Sequence, residues 1–158
     1  ERGGEHGPRF LVLNDPASHA SVEASKALRR GEVVATKADR LVDGRHARVQ
    51  FFGEHALLPT GPFLLAAIAR VPVITFACVR VGWRHYRLVA EPPRTLAFAS
   101  RASREEDLAR WAQEYAHTLE GWARDWPLQW FNFHDVWEAR PIRAAEAEGE
   151  HQTRSAAG

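Results

Sequence analysis

Residues 49–76, "VQFFGEHALLPTGPFLLAAIARVPVITF", decide the fold. The opening "VQFFG" completes a strand that starts at Ala47, and Gly53 permits a tight backbone where that strand ends. Glu54 and His55 lie beside the strand exit. Gly61 then serves as N-cap and Pro62 as the first helical residue, where its missing N–H costs nothing. The helix runs to Arg70, and "VPVITFACVRV", 71–81, follows as a long buried strand. Strand, helix and strand in succession predict an α/β architecture.

The flanking residues extend the alternation. "RFLVLN", 9–14, is a short continuous apolar run, the signal of a buried strand. "SVEASKALRRG" places Val22, Ala24 or Ser25, and Leu28 at helical spacing, and Gly31 ends that helix. "EVVAT", 32–36, is a second continuous strand. Two such strands joined by a helix predict a βαβ unit with a parallel pair. Asp43 to Arg45 make a turn. Downstream, Gly82 interrupts the apolar run and "RHYRLVAE" returns as an antiparallel partner, closed by Pro92 and Pro93. "SREEDLARWAQEYAHTLEGWARDW", 103–126, is the clearest helix. Ser103 and Glu106 have capping-box spacing. Leu108, Trp111, Tyr115, Leu119, Trp122 and Trp126 form one apolar stripe, and Pro127 stops the helix.

At 158 residues and 45% hydrophobic, the chain suits one domain with a real core. A net charge of +1 provides no global field for nucleic acid. Lys26 and Lys37 are the only lysines; the remaining cations are arginine, which reads as GC-rich codon usage or as phosphate and carboxylate recognition. The single cysteine, Cys78, cannot form a disulfide within the chain and is expected buried and inert. No apolar run reaches the ~20 residues of a membrane span, because Arg70 and Pro72 cut the most apolar region. The first residue is Glu1 rather than Met, and "ERGGEHGPRF" does not read as a signal peptide. The expected organisation is a loose edge at 1–8, a folded region at 9–140 and a polar, aromatic-free tail at 141–158.

Several clusters carry two readings. Lys37, Asp39 and Arg40 follow the "EVVAT" strand at the carboxyl edge of the expected sheet, where ligands of open α/β sheets bind; they also fit an ordinary loop ion pair. The helix start at Gly61–Pro62 offers open amides to phosphate or carboxylate, or is a plain strand–loop–helix junction. Arg80, Arg84, His85 and Arg87 surround Trp83 at a hairpin tip, a composition that suits an anionic membrane interface or a solvated turn. No histidine pair has helical zinc spacing, and no Gly-x-Ser-x-Gly elbow or phosphate-binding P-loop is present. No metal site is expected.

Taken in order, "ALRRGEVVATKADR", "VQFFGEHALLPTGPFLLAAIARVPVITF" and "PLQWFNFHDVW" resemble the later blocks of the lysophospholipid acyltransferase superfamily. The nearer likeness is to its bacterial lipid A biosynthesis acyltransferase branch, and it spans about Leu28 to Trp137. The resemblance implies an α/β fold, a mixed sheet flanked by helices, and transfer of a fatty acyl group from acyl carrier protein or coenzyme A to a lipid or glycolipid hydroxyl, with no bound cofactor. That chemistry would run at the cytoplasmic face of the bacterial inner membrane, with peripheral contact. Asp39, Arg40, Phe52, Gly53, Pro59 and Gly61 are the implied substrate-binding residues; Trp83, Arg84 and Arg87 are the expected membrane contacts.

The superfamily's base is the His of a His-x-x-x-x-Asp or His-x-x-x-x-Glu motif. None of the eight histidines here has an acid five positions on. The superfamily places that motif before the "GEVVATKADR" block, so the expectation is a C-terminal part of an enzyme, with no catalytic residue in this chain. The alternative is a non-catalytic homologue that binds lipid or carrier protein. A structural domain held by its aromatic cap is the third reading. Trp126, Trp130 and Phe131 are expected to cover the core, and His134–Asp135 matches the terminal signature of the branch in a structural role.

Overall fold

The computed structural model of the protein describes residues 20–41, 44–132 and 136–137. The expected strand 9–14, Asp43, the His134–Asp135 pair and the two terminal segments lie outside the described residues. The elements in order are α1 (Ala20–Arg29), β1 (His46–Phe51), β2 (Glu54–Pro59), α2 (Gly61–Ala69), β3 (Pro72–Val73), β4 (Phe76–Gly82), β5 (His85–Ala90), β6 (Arg94–Thr95) and α3 (Arg104–Asp125). A 3-10 turn at Pro127–Gln129 follows. Helices and small sheets make a mixed α/β architecture, in line with the expected class.

The sheets correct one part of the expectation. β1 pairs with β2, β3 with β6 and β4 with β5, every pair antiparallel. Among the described residues no parallel pair exists, and "EVVAT" is extended chain without a ladder, with Val33 94% exposed. An apolar run becomes a strand only when a neighbouring backbone accepts its hydrogen bonds. The helix before it forms as expected. Gly31 takes φ +79, and the Gly31 and Glu32 N–H groups close the last turn onto Leu28 and Ala27 at 3.1 and 3.0 Å. Its buried face is Ala20, Ala24 and Ala27, while Val22 points to solvent.

The hairpin β1–β2 replaces the expected strand–loop junction. Phe52 and Gly53 adopt φ +53 and +85 and form its two-residue turn. Positive φ at both turn positions gives a twist matching that of the flanking strands. Gly53 signals this turn in the sequence, but a phenylalanine with positive φ does not. Pairing Phe51 with Glu54 puts Val49 opposite Ala56 and Ala47 opposite Leu58, so one face is buried up to Glu54, which is exposed beside the turn. A slip of one residue would turn that whole face to water.

This buried face lies on α3. Leu108, Trp111, Ala112 and Ala116 of α3 are buried with Phe63, Ala66 and Ala67 of α2 in one core. The apolar stripe on α3 is therefore correct at Leu108 and Trp111, with Tyr115 and Leu119 partly buried against the core, but its deepest members are the small Ala112 and Ala116, which let the hairpin approach. Trp122 and Trp126 are half-buried at the helix's far end. Helix α2 begins one residue early: Thr60 is the N-cap and Gly61 is already helical.

Two side-chain amides finish the strand edges. Gln113 accepts the Gln50 N–H through Oε1 at 2.7 Å and donates to the Gln50 carbonyl at 2.9 Å. Gln129 does the same at Arg80, at 2.6 and 3.0 Å. Each amide supplies the donor and acceptor that a neighbouring strand would have supplied.

The capping box at the start of α3 does not form. Ser103 Oγ accepts the Ser100 N–H at 2.9 Å and donates to Asp107 at 3.1 Å, so it caps no helical amide. Asp107, 5% exposed, ties this corner together instead. Its carboxylate accepts the Ala99 N–H at 2.9 Å and an Arg110 guanidinium N–H at 2.6 Å. The expected buried strand 71–81 is broken at Ile74–Thr75, and Cys78 on β4 is exposed rather than buried. Nothing among the described residues packs on that face of β4, so apolar character alone did not bury it.

Two outcomes follow from these local constraints. A Cβ built on Gly53 meets nothing within 4 Å, so Gly53→Ala carries only the backbone cost of a left-handed residue, about 1 kcal/mol in chemical denaturation. Gly53→Asn should fall nearer to wild type, because asparagine tolerates that conformation. The Ala99 N–H, then Arg110 and Ser103, hold the Asp107 carboxyl below its ordinary 3.8. Its contribution is therefore present above about pH 3.8 and lost as the pH falls through the lower folded value. Asp107→Asn should lower Tm at pH 7 and flatten the acid limb of the stability–pH curve, measured by thermal melts from pH 7 to pH 2.

Candidate functional site

Phe51, 1% exposed, sits at the inner end of the β1–β2 turn and organises an aromatic cluster. Its ring meets Phe52 edge-on at 4.8 Å and Trp130 edge-on at 5.1 Å, and stacks on Trp137 at 6.2 Å. Trp137 Nε1 donates to the Phe51 carbonyl at 3.1 Å. The aromatic stretch that follows α3 thus returns to the hairpin turn, as its composition suggested. The members divide differently from expectation: Trp130 is half-buried on the core, whereas Phe131 is 68% exposed and covers little.

Trp130 links this cluster to the loop before β1. Its Nε1–H points to Asp39 Oδ2 at 3.4 Å, a long, weak hydrogen bond. Asp39 also faces Tyr115 on α3. Burial pushes the Tyr115 phenol well above its ordinary 10.0, and the Asp39 charge adds to that rise, so the phenol stays neutral at physiological pH. Arg40 is exposed and, among the described residues, paired with no acid. The loop therefore holds a half-buried carboxylate on the cluster and extends a guanidinium into solvent beside it. A free guanidinium on such a rim is suited to a phosphate.

The turn itself is held from α3. Phe52, a non-glycine residue at φ +53, would cost about 1 kcal/mol or more without support. Glu120 Oε2 accepts its N–H at 2.9 Å, and the Arg124 guanidinium lies 5.2 Å from its ring centroid. Glu120 and Arg124 also form an ion pair with each other. Their four-residue spacing is visible in the sequence, but the turn they grip is not.

The six expected substrate-binding residues fall into two groups. Asp39, Arg40, Phe52 and Gly53 gather around the Phe51 cluster. Pro59 pairs with His46 at the opposite end of the hairpin, and Gly61 opens α2 just beyond it. Five residues of strand, about 17 Å, separate Glu54 from Pro59. The cleft between α2, α3 and β3–β6 touches neither group. It measures about 160 Å³ and is lined by Phe63, Leu96, Trp111 and Tyr115, with an Arg94–Glu114 ion pair at its polar side. That is below the ~300 Å³ at which ligand pockets begin.

Among the described residues no histidine ring meets a carboxylate. His55 and His117 contact the amides of Gln50 and Gln113 at 3.2 and 3.1 Å. No group of three described His, Cys, Asp or Glu side chains could hold a metal ion, and no described helix is long and apolar enough to cross a membrane. The arrangement can bind and orient an anionic, partly apolar ligand. It holds no described general base with an acid partner.

Comparison with known families agrees with the blocks in the sequence. The model of the bacterial lipid A biosynthesis acyltransferase family matches residues 16–139, most of the chain and all of the elements above. No curated protein matches the chain. With that match covering both the Asp39–Arg40 loop and the aromatic cluster, the chain belongs to the bacterial lipid A biosynthesis acyltransferase family.

Proposed function

We propose that this chain carries the substrate-binding part of an acyl transfer from acyl carrier protein or coenzyme A to a hydroxyl of a lipid or glycolipid. In that reaction the acceptor oxygen attacks the thioester carbonyl, the carbon–sulfur bond breaks, and the hydroxyl proton is passed on to the departing thiol. Asp39 and Arg40 line the acceptor side, with Arg40 taking an anionic headgroup group such as phosphate. Phe52 and Gly53 present the rigid turn against which the acceptor packs. Pro59 and Gly61 contact a separate part of the long ligand, since they sit at the other end of the hairpin. In this reading the work takes place at the cytoplasmic face of the bacterial inner membrane, with peripheral contact. The observation that carries this reading is the juxtaposition of the Asp39–Arg40 loop with the Phe51 cluster, both within the matched family region.

The second reading is a non-catalytic homologue that binds lipid or carrier protein. One observation favours it: none of the eight histidines has an acid five positions on. Both readings assign the same binding residues and differ in whether a base acts on the bound acceptor at all.

The chain by itself should transfer no labelled acyl group from acyl carrier protein or coenzyme A to a glycolipid above a heat-killed control. Transfer above that control would place a base among these residues. The binding assignment is tested by titrating a phosphate-bearing glycolipid in detergent micelles. Wild type should bind, and Arg40→Ala should weaken binding roughly tenfold or more, the worth of a charge-assisted hydrogen bond. Tm should stay nearly unchanged, because Arg40 is exposed and, among the described residues, its guanidinium has no hydrogen-bond or ion-pair partner. Equal affinity of the two proteins would move the acceptor site elsewhere.

A further inference from the structure

The β4–β5 hairpin has an unpartnered apolar face. Its register pairs Phe76 with Ala90, Cys78 with Leu88 and Arg80 with Tyr86, so these six side chains share one side of the ribbon, and all six are exposed. Phe76, Tyr86 and Leu88 are 55, 67 and 66% exposed. On the other side Val79 is buried and Ala77 and Val89 are half-buried, so that side faces the body of the protein. Trp83 stands at the tip, 79% exposed, with the Arg80 guanidinium 5.5 Å from its ring centroid. A two-stranded ribbon is marginal in water, and one that turns its larger apolar side chains outward is poised to cover them.

Charge identifies the cover. Residues 74–90 contain three arginines and no aspartate or glutamate. Among the described residues no acid pairs with Arg84 or Arg87. A second copy laid face to face would add its own Arg80 and Arg84 to the covered surface and bring no acid to pair them. An anionic lipid surface answers both features: acyl chains accept the apolar face, headgroups meet the arginines, and tryptophan favours the boundary between them.

We propose that the face of Phe76, Tyr86 and Leu88, with Trp83 at its tip, is a docking surface for an anionic lipid bilayer. Arg80 and Arg84 sit at headgroup level, Arg80 on the apolar face and Arg84 in the turn at φ +60. Arg87 opposes Val79 on the far side of the ribbon and acts only through the local field. This surface rests on the reading of the acceptor as a lipid, because it brings the protein to where that acceptor lies.

The test is co-sedimentation with phosphatidylglycerol vesicles and with phosphatidylcholine vesicles, without any acyl donor. Its outcome is therefore independent of whether the chain supports acyl transfer. Wild type should sediment with the anionic vesicles, more weakly with the neutral ones, and less as salt rises. Arg84→Glu should lower anionic partitioning roughly 30-fold, since the reversal removes two units of charge attraction. Arg87→Glu should lower it less. Tyr86→Ser with Leu88→Ser should lower partitioning to both vesicle types, with Tm unchanged because both side chains are exposed. Equal sedimentation of all four proteins would overturn the proposal. So would a dimer, seen by light scattering, that the serine variant dissociates while vesicle binding persists, for the occupant would then be a second copy. A marked fall in Tm of the serine variant with unchanged vesicle binding would equally overturn it, and would give the face to another part of this chain, such as residues 9–14.

Discussion

The packing of Phe51 against the residues around it is the constraint on which the rest depends. One buried ring touches the turn that follows it, the segment after α3 and the core beneath. It can do so only because Phe52 and Gly53 both take positive φ and so fix the strand register. That register buries Ala47, Val49, Ala56 and Leu58 on α3, and the alanines of α3 allow the close approach. Without the tight turn, the aromatic stretch after the helix would have no ring to close on. Asp39, which reaches the cluster through Trp130, would then lose its place.

α3 acts as more than a core helix. Its inner face supplies Leu108 and Trp111 to the hydrophobic core. Its flank reaches out with Gln113, Glu120 and Arg124 to the backbone and turn of β1. Its start is fixed by Asp107, whose carboxylate binds the preceding loop rather than a neighbouring element. The hairpin turn is thus positioned from one rigid element, while Asp39, Arg40, Phe52 and Gly53 stay on connecting segments.

How much of this was legible in the sequence follows from the range of each interaction. Gly31 as a helix stop, α3 with Leu108 and Trp111 inward, Pro127 as its end and the β4–β5 hairpin are local or periodic signals, and they hold. The strand at "EVVAT" and the unbroken buried strand 71–81 did not hold, because apolar runs report a wish for burial and not the presence of a neighbour. Cys78 shows this directly: its flanks look like core, yet it shares the outward face with Leu88. The turn at Phe52 was hidden because its support comes from Glu120, 68 residues on, and from Arg124 one helical turn further. At the site, the block order placed Asp39, Arg40 and the aromatic stretch in one family. It could not show that Pro59 and Gly61 lie at the far end of the hairpin from them.

The two glutamines that finish β1 and β4 have a consequence for how the protein fails. Both belong to one stretch of chain, Gln113 in α3 and Gln129 in the turn that follows it. A backbone neighbour would leave a strand only when a whole ladder breaks; these amides leave as soon as their own segment unwinds. Melting of α3 therefore bares two strand edges at the same moment that it uncovers the apolar face of the hairpin. Edges freed in that way are templates for intermolecular pairing. Heating is thus expected to end in insoluble aggregate rather than in a chain that refolds on cooling, with resistance to heat governed by the rate at which one helix opens.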